Sequence, residues 1–331
     1  MEKISIIIVN WNGKECLEKC ITSLINQTYL NKEIIMVDNS SEDGSIEFVK
    51  SNFKSEVQIV ENINNGYAGG ANVGINSTNG EYIAIVNPDV VFEKDYFLNC
   101  VNYLNRNSKA GAISGKLLKY DFKTNTKKNI IDSVGISVKK NRAAYDIGQN
   151  MEDKGQYENA KRVFAVCGAA PVYRREALEL IKFQNEYFDE DFFAYKEDID
   201  LCWRLNWIGI ESHYIPWAIA YHGRGMNGAT GIIKKISNRR NQSNYLKGIS
   251  FRNQYLMIYK NDCLNTVKKD LIRIGFRFLQ YILYFLIFEP GNLKYLKELI
   301  RLKNEKFLLK KQHLLDIRKI NENTINGLFE K

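Results

Sequence analysis

The chain has 331 residues, 45% hydrophobic and 26% charged, an ordinary globular composition that allows a large core in one or two domains. Six scattered cysteines with no C-x-x-C pair speak against a disulfide framework or a zinc site. The apolar run in MEKISIIIVNWNG is too short for a signal h-region, so a cytoplasmic location is expected. The formal net charge of +9 is uneven: residues 1–233 are mildly acidic, with 26 Lys+Arg against 30 Asp+Glu, and residues 234–319 carry 20 against 6. A basic block of that kind seeks an anionic membrane surface, a nucleic acid or a phosphorylated partner.

In chain order, residues 4–9 read as a strand and 13–27 as a helix in which Cys16, Leu17, Cys20, Leu24 and Ile25 share an apolar face. A strand over 33–37 follows, then a short helix over 43–53 and a strand over 57–60. A glycine-rich loop and short helix cover 64–77, a strand 82–86 and a helix 95–106. Strands alternating with helices predict a mainly parallel sheet with crossover helices. From about 108 the pattern loosens, and the polar stretch 120–160 reads as excursions or a flap. VFAVCGAAPVYRREAL (163–178) reads as a strand, a small-residue turn and a helix start. NEYFDEDFFAYKEDIDLCWRLNWIG (185–209) is the densest acidic and aromatic segment. A strand region over 210–225 ends at His222, and a basic helical region begins at about 230.

Three strands end in polar clusters, at Asn10–Asn12, Asp38–Ser41 and Asn87–Asp89, which on one sheet would line one crevice. Open α/β sheets bind ligands beyond the carboxyl ends of their strands. Asp38 there suits a nucleobase edge or a ribose hydroxyl, although Asp38-Asn39-Ser40-Ser41 is also a good helix cap. NNGYAGGANVG (64–74) carries four glycines that would let backbone approach a phosphate, but it matches neither the dinucleotide nor the P-loop fingerprint. Asp89, behind a proline at a strand end, suits a divalent cation on a diphosphate, since Mg²⁺ and Mn²⁺ take one or two carboxylates plus substrate oxygens. In KEDID, Glu197 and Asp198 point in different directions, and one can serve as general base. Asp200 and Arg204 form an i,i+4 pair. The aromatics around Asp198 suit stacking on sugar faces, and His222 suits metal ligation.

SIIIVNWNG, EIIMVDNSSEDGS, NNGYAGGANVGI, IVNPDVVF, CGAAPVYRREAL, YFDEDFFAYKEDIDLCWRL and YHGRG occur in this order over residues 3–225. Together they resemble a family 2 glycosyltransferase with the GT-A fold, of the bacterial rhamnosyltransferase-like group. The resemblance implies an α/β, Rossmann-like catalytic domain over residues 1–228. Its donor-binding half covers about 1–106 and its acceptor half about 107–228. A basic, amphipathic helical region follows over 229–331. It further implies inverting, metal-dependent transfer of a sugar from a nucleotide-diphosphate sugar, with rhamnose one candidate, to a glycan or lipid-linked acceptor in cell-surface polysaccharide synthesis. Asp198 would be the base beside Glu197, and Asp89 and His222 would hold Mn²⁺ or Mg²⁺. Val9, Asn10, Asp38, Asn65, Gly66, Gly70, Asn72, Asn87 and Asp89 would bind the donor. Asn87 stands where a full D-x-D has its first acid, and Ala169-Ala170 and GRGMNG depart from a typical rhamnosyltransferase.

Residues 271–291 form the most apolar segment. Its uninterrupted run from 281 to 288 falls short of the roughly 20 residues that span a bilayer, so the segment reads as a helix lying at a membrane's inner face or packing on the catalytic domain. Nucleic acid is the weaker partner, because no recognised binding motif accompanies the charge. A sugar-phosphate nucleotidyltransferase and a non-catalytic sugar or membrane adaptor are the rival readings.

Overall fold

The computed structural model describes residues 2–223 and 244–330. Strand β1 (Ile4–Asn10) is buried at every position, as befits β-branched residues covered on both faces. It pairs in parallel with β2 (Lys32–Asn39) and β4 (Tyr82–Val86), and β2 pairs in parallel with β3 (Val57–Asn62). Helices α1 (Lys14–Ile25), α2 (Ser45–Asn52) and α3 (Gly66–Asn76) connect them. Alternate side chains serve opposite layers: Ile6 and Ile8 pack with Leu17, Cys20 and Leu24 of α1, whereas Ile7 and Val9 pack with Ala68, Ala71 and Ile75 of α3. Gly74 sets how close α3 comes, because a Cβ there would lie 2.3 Å from Ile7 Cγ2.

Past β4 the sheet becomes mixed. Next come β5 (Val90–Phe92), α4 (Tyr96–Arg106), β6 (Ala110–Asp121) and β7 (Thr126–Ser133), followed by β8 (Ile136–Val138), β9 (Ala144–Asp146) and β10 (Lys161–Val163). After these the chain forms β11 (Val172–Arg174), α5 (Arg175–Glu179), α6 (Glu197–Trp207) and β12 (Glu211–His222). The strand order is β10-β12-β6-β11-β4-β1-β2-β3, with β11 antiparallel to both neighbours, β12 parallel to β6, and β5 paired to β12. The expected α/β sheet flanked by helices is therefore present, parallel over β3-β2-β1-β4 and mixed beyond. The polar stretch 120–160 contains most of the β6–β7 hairpin and the separate β8–β9 hairpin. Its lysines face water while Ile131, Val134, Ile136 and Val138 are buried. In 163–178 the strand follows the small-residue turn, as β11, and runs straight into α5.

The basic region forms α7 (Asn244–Asn261), α8 (Leu264–Phe288), α9 (Lys294–Arg301), α10 (Glu305–Ile317) and α11 (Glu322–Gly327). The GRGMNG segment past Gly223, and the 228/229 boundary, lie outside the described residues. Part of the basic charge is turned inward. Lys310 reaches Glu186 at 2.7 Å, Asp189 at 2.5 Å and Asp191 at 2.7 Å. Lys260 reaches Asp189 and Asp200, each at 2.6 Å, and Asp200 also holds Arg204 at 2.9 Å, the i,i+4 pair expected from sequence. Arg142 binds Asp262 and Asp270 at 2.7 and 2.9 Å, and Arg318 lies 3.8 Å over the Trp207 ring. The C-terminal helices thus dock on the sheet domain through buried ion pairs. Removing one partner of such a pair strands the other charge, which costs about 3–5 kcal/mol. Lys310→Ala is expected to lower the unfolding free energy read from a urea titration by about 3–5 kcal/mol, and an unchanged midpoint would contradict the docking role.

Candidate active site

Strands β1, β2 and β4 end along one edge: Asn10 is level with Asp38, and Ile8 with Val86, one residue before Asn87. The Asp38 carboxylate is fully buried and accepts hydrogen bonds from Asn10 Nδ2 and the Ser41 N–H, both at 2.8 Å. Asn39 Nδ2 donates to the Gly66 carbonyl at 2.9 Å, and Asn62 Nδ2 donates to Asn39 Oδ1 and Asn65 Oδ1 at 2.8 and 2.9 Å. A Cβ on Gly70 would meet Val9 Cγ1 and Asn39 Nδ2 at 2.8 Å. Asn72 Oδ1 accepts from the Tyr187 and Phe188 N–H groups at 3.0 and 2.9 Å. Val9, Gly66, Gly70 and Asn72 are buried and pack α3 onto the sheet and onto residues 187–193. Asn10, Asp38 and Asn65 form the polar network beside them.

A cavity of about 440 Å³ has Asn87, Asp89, Glu197, Asp198 and His222 on its wall, whereas Asn10, Asp38 and Asn65 do not line it. These five come from three separated stretches of sequence, and the structure brings them together. His222, at the end of β12, faces Asp89 through Nε2 at 3.3 Å and Asp132 of β7 through Nδ1 at 2.8 Å. Burial pulls the imidazole pKa down, but Asp89 and Asp132 outweigh it and hold it up at about 9. Asp132 orients the ring so that Nε2 points to Asp89, the arrangement in which a carboxylate behind a histidine sets it up for a metal. Among the described residues no group of three or more His, Cys, Asp or Glu could hold a cation. Asp89 and His222 fit a cation that takes its remaining ligands from substrate phosphates and water.

Asp198 sits in the first turn of α6. Its Oδ2 accepts the Gly168 N–H at 3.0 Å, and its Oδ1 accepts the Ile199 N–H at 2.8 Å. A Cβ on Gly168 would lie 3.0 Å from Asp198 Oδ2, so the small residue of CGAA makes room for the carboxylate. Tyr67 donates to the Gly168 carbonyl at 2.8 Å and steadies the same turn. Burial raises the Asp198 pKa and makes it a stronger base, while the two backbone donors favour its charged form. Glu197 is different: it is buried, Oε2 has no hydrogen-bond partner, and burial together with Asp198 carries its pKa up to about 8. Of these two neighbouring acids, Glu197 carries the unsatisfied oxygen, and Asp198 is the one fixed by two backbone N–H groups.

Several residues on or behind the wall carried no signal in the sequence. Asp132 is 90 positions from His222 and looks like any polar strand residue. Ile136, Tyr145 and Asp146 reach the cavity from the β8–β9 hairpin, and Lys196 from the turn before α6. The aromatics expected to stack on sugars are mostly core: Tyr187, Phe188 and Phe192 are buried, while Tyr195 stays exposed on the wall. The α3 helix and the C-terminal helices cover the others.

A sequence profile described as glycosyl transferase family 2 matches residues 5–181. The glycosyltransferase GlyA of Streptococcus pneumoniae is 36% identical over 97 residues, 29% of this chain and 14% of that protein. The poly-beta-1,6-N-acetyl-D-glucosamine synthase of Staphylococcus epidermidis is 25% identical over 224 residues, 67% of this chain and 50% of that one. The chain thus spans half the length of these relatives or less. A mannosyltransferase of Pyrobaculum calidifontis, solved with GDP-Man and Mn²⁺, superposes with a TM-score of 0.53 at 14% identity, covering 96% of this chain and 86% of that one. Likenesses of this kind establish the GT-A fold.

The Glu197 environment has a pH signature. A carboxyl raised from its usual 4.5 to about 8 binds a proton in the folded chain that the unfolded chain has lost, so stability falls as pH rises through that window. Glu197→Gln removes this slope. Its melting temperature is expected to gain on wild type progressively between the two values; a gain independent of pH would contradict the assignment.

Proposed function

The chain belongs to glycosyl transferase family 2, and on that premise we propose that it transfers a hexose, with inversion, from a nucleotide-diphosphate sugar to a hydroxyl of a glycan or lipid-linked acceptor in cell-surface polysaccharide synthesis. The observation that carries this reading is that Asp198, fixed by two backbone N–H groups, shares one cavity with the Asp89–His222 pair. The nucleotide lies along the strand-end network of Asn10, Asp38 and Asn65, and its diphosphate reaches Asn87 and Asp89. Asp89 and His222 hold Mn²⁺ or Mg²⁺, which would supply Lewis-acid stabilisation of the departing diphosphate. Asp198 takes the acceptor hydroxyl proton, and the oxygen attacks the anomeric carbon from the face opposite the leaving group. The new C–O bond forms as the old one breaks, and its electron pair leaves on the phosphate oxygen. Rhamnose is the first donor sugar to try.

Asp198→Asn is expected to lower turnover about 10²- to 10⁴-fold while keeping the thermal shift given by UDP, TDP, GDP or CDP with Mn²⁺. A ligand at 100 times its Kd stabilises by about 2.7 kcal/mol. Asp89→Ala is expected to remove the Mn²⁺-dependent part of that shift. No shift with any nucleotide would favour an adaptor, and turnover of a sugar phosphate with a nucleoside triphosphate would favour a nucleotidyltransferase.

A second feature favours peripheral attachment at the inner face of a membrane. One face of α8 packs on α7, with Phe285 4.9 Å from Phe251 and Phe278 4.9 Å from Tyr255. The other carries Ile272, Phe276, Leu279, Leu283 and Ile287 into solvent at helical spacing, Ile272 at 89% exposure. By length and composition alone α8 could also cross a bilayer. Exposed Lys268, Lys269 and Arg273 flank the apolar face and complement anionic headgroups. Co-sedimentation with phosphatidylglycerol vesicles is expected, weakened by Ile272→Asp with Ile287→Asp. Dimerisation lost in the same variant, without vesicle binding, would overturn the membrane assignment.

A further inference from the structure

Residues 193–196 lead directly into Glu197 and Asp198, and their backbone is unusual. Phe193, Tyr195 and Lys196 have φ of +63°, +69° and +78°. Side-chain-bearing residues adopt such angles only where the surroundings impose them. Two elements do so here. From the donor side, the Ala68 N–H of α3 donates to the Phe193 carbonyl at 3.1 Å. A Cβ on Gly66 would lie 2.4 Å from that same oxygen. From the other side comes α7 of the basic region. Asn253, fully buried, aims Nδ2 at the carbonyls of Phe192, Ala194 and Tyr195, at 2.7, 2.8 and 2.8 Å. Arg252 Nε donates to Asn253 Oδ1 at 3.0 Å, which fixes which end of the amide faces the segment. Arg252 Nη2 adds bonds to the Asp191 and Phe192 carbonyls at 3.0 and 3.2 Å.

We propose that Asn253 is a positioning residue for transfer: its amide gathers the carbonyls of Phe192, Ala194 and Tyr195 and so fixes where α6 begins and where the Asp198 carboxylate meets Gly168. This rests on the reading of Asp198 as the base. Three backbone carbonyls held by one side-chain amide also explain why a basic helix distant in sequence is tied to the acidic segment. A single side chain cannot be replaced there by a shorter or apolar one without releasing up to three carbonyls at once. The effect would fall first on the geometry of Asp198, because the strand-end donor network has its own hydrogen bonds among β1, β2, β3 and α3 and meets the segment through Gly66 and Ala68.

The test compares Asn253→Ala with Leu256→Ala, which removes a buried side chain from the same helix but no hydrogen bond. Backbone hydrogen exchange over residues 190–199 is expected to accelerate in Asn253→Ala and not in Leu256→Ala. With the nucleotide sugar that the wild type turns over, kcat is expected to fall about tenfold or more in Asn253→Ala at unchanged donor KM. Leu256→Ala lowers the melting temperature but keeps wild-type kcat. If Asn253→Ala does not fold, Asn253→Ser, which keeps one donor, carries the same comparison. Wild-type kcat in the folded variant, or an equal loss of kcat and equal gain in exchange in Leu256→Ala, would overturn the proposal. A wild type that turns over no nucleotide sugar would instead overturn the reading of Asp198, and the exchange measurement would then decide alone whether Asn253 holds the segment.

Discussion

One imidazole stands between two carboxylates, and the region beyond the strand ends is arranged so that the three can meet. Asp89 follows β4, Asp132 lies near the end of β7 and His222 closes β12. Two acids this close, one of them fully buried, need a shared cation or proton between them. His222 supplies it as an imidazolium held up at about 9. The same geometry suits a divalent cation, which would displace the Nε2 proton and leave Nδ1–H on Asp132. The pairing of β5 with β12 follows from this need, since it lays Val90 beside His222 and brings the Asn-Pro-Asp turn to the end of the other strand.

Across the cavity the constraint is positional. Asp198 is useful as a base only if its carboxylate stays where an acceptor hydroxyl arrives. Gly168 on one side and the start of α6 on the other set that place. The C-terminal helices join in. Their buried lysines neutralise Glu186, Asp189, Asp191 and Asp200, acids that would otherwise repel one another beneath the site. A chain end that looks like an appendage by charge is therefore part of the scaffold of the acidic segment that leads into α6.

The parallel half of the fold was readable because its strands are continuous β-branched runs and its helices show one apolar face. Asp89, Asp198 and His222 could be singled out because each stands at an element end beside residues that make turns. What escaped had physical reasons. The β6–β7 and β8–β9 hairpins carry so many exposed lysines and asparagines that their alternation is obscured. Asp132 and Asn253 act through partners 90 and about 60 residues away, and nothing local marks them. The glycines of NNGYAGGANVG suit by sequence either a close approach to phosphate or a tight structural bend, and packing explains three of them: Gly70 and Gly74 lie where α3 presses on Val9 and Ile7, and Gly66 meets the Phe193 carbonyl.

The central claim is that Asp89 and His222 hold a divalent cation on a nucleoside diphosphate within reach of Asp198. It is tested most directly by crystals grown with Mn²⁺ and the nucleoside diphosphate that gives the largest thermal shift, measured at the manganese absorption edge. An anomalous peak bonded to Asp89, His222 and phosphate oxygens is expected. A peak elsewhere in the molecule, or a bound nucleotide with no peak beside these two residues, would contradict it.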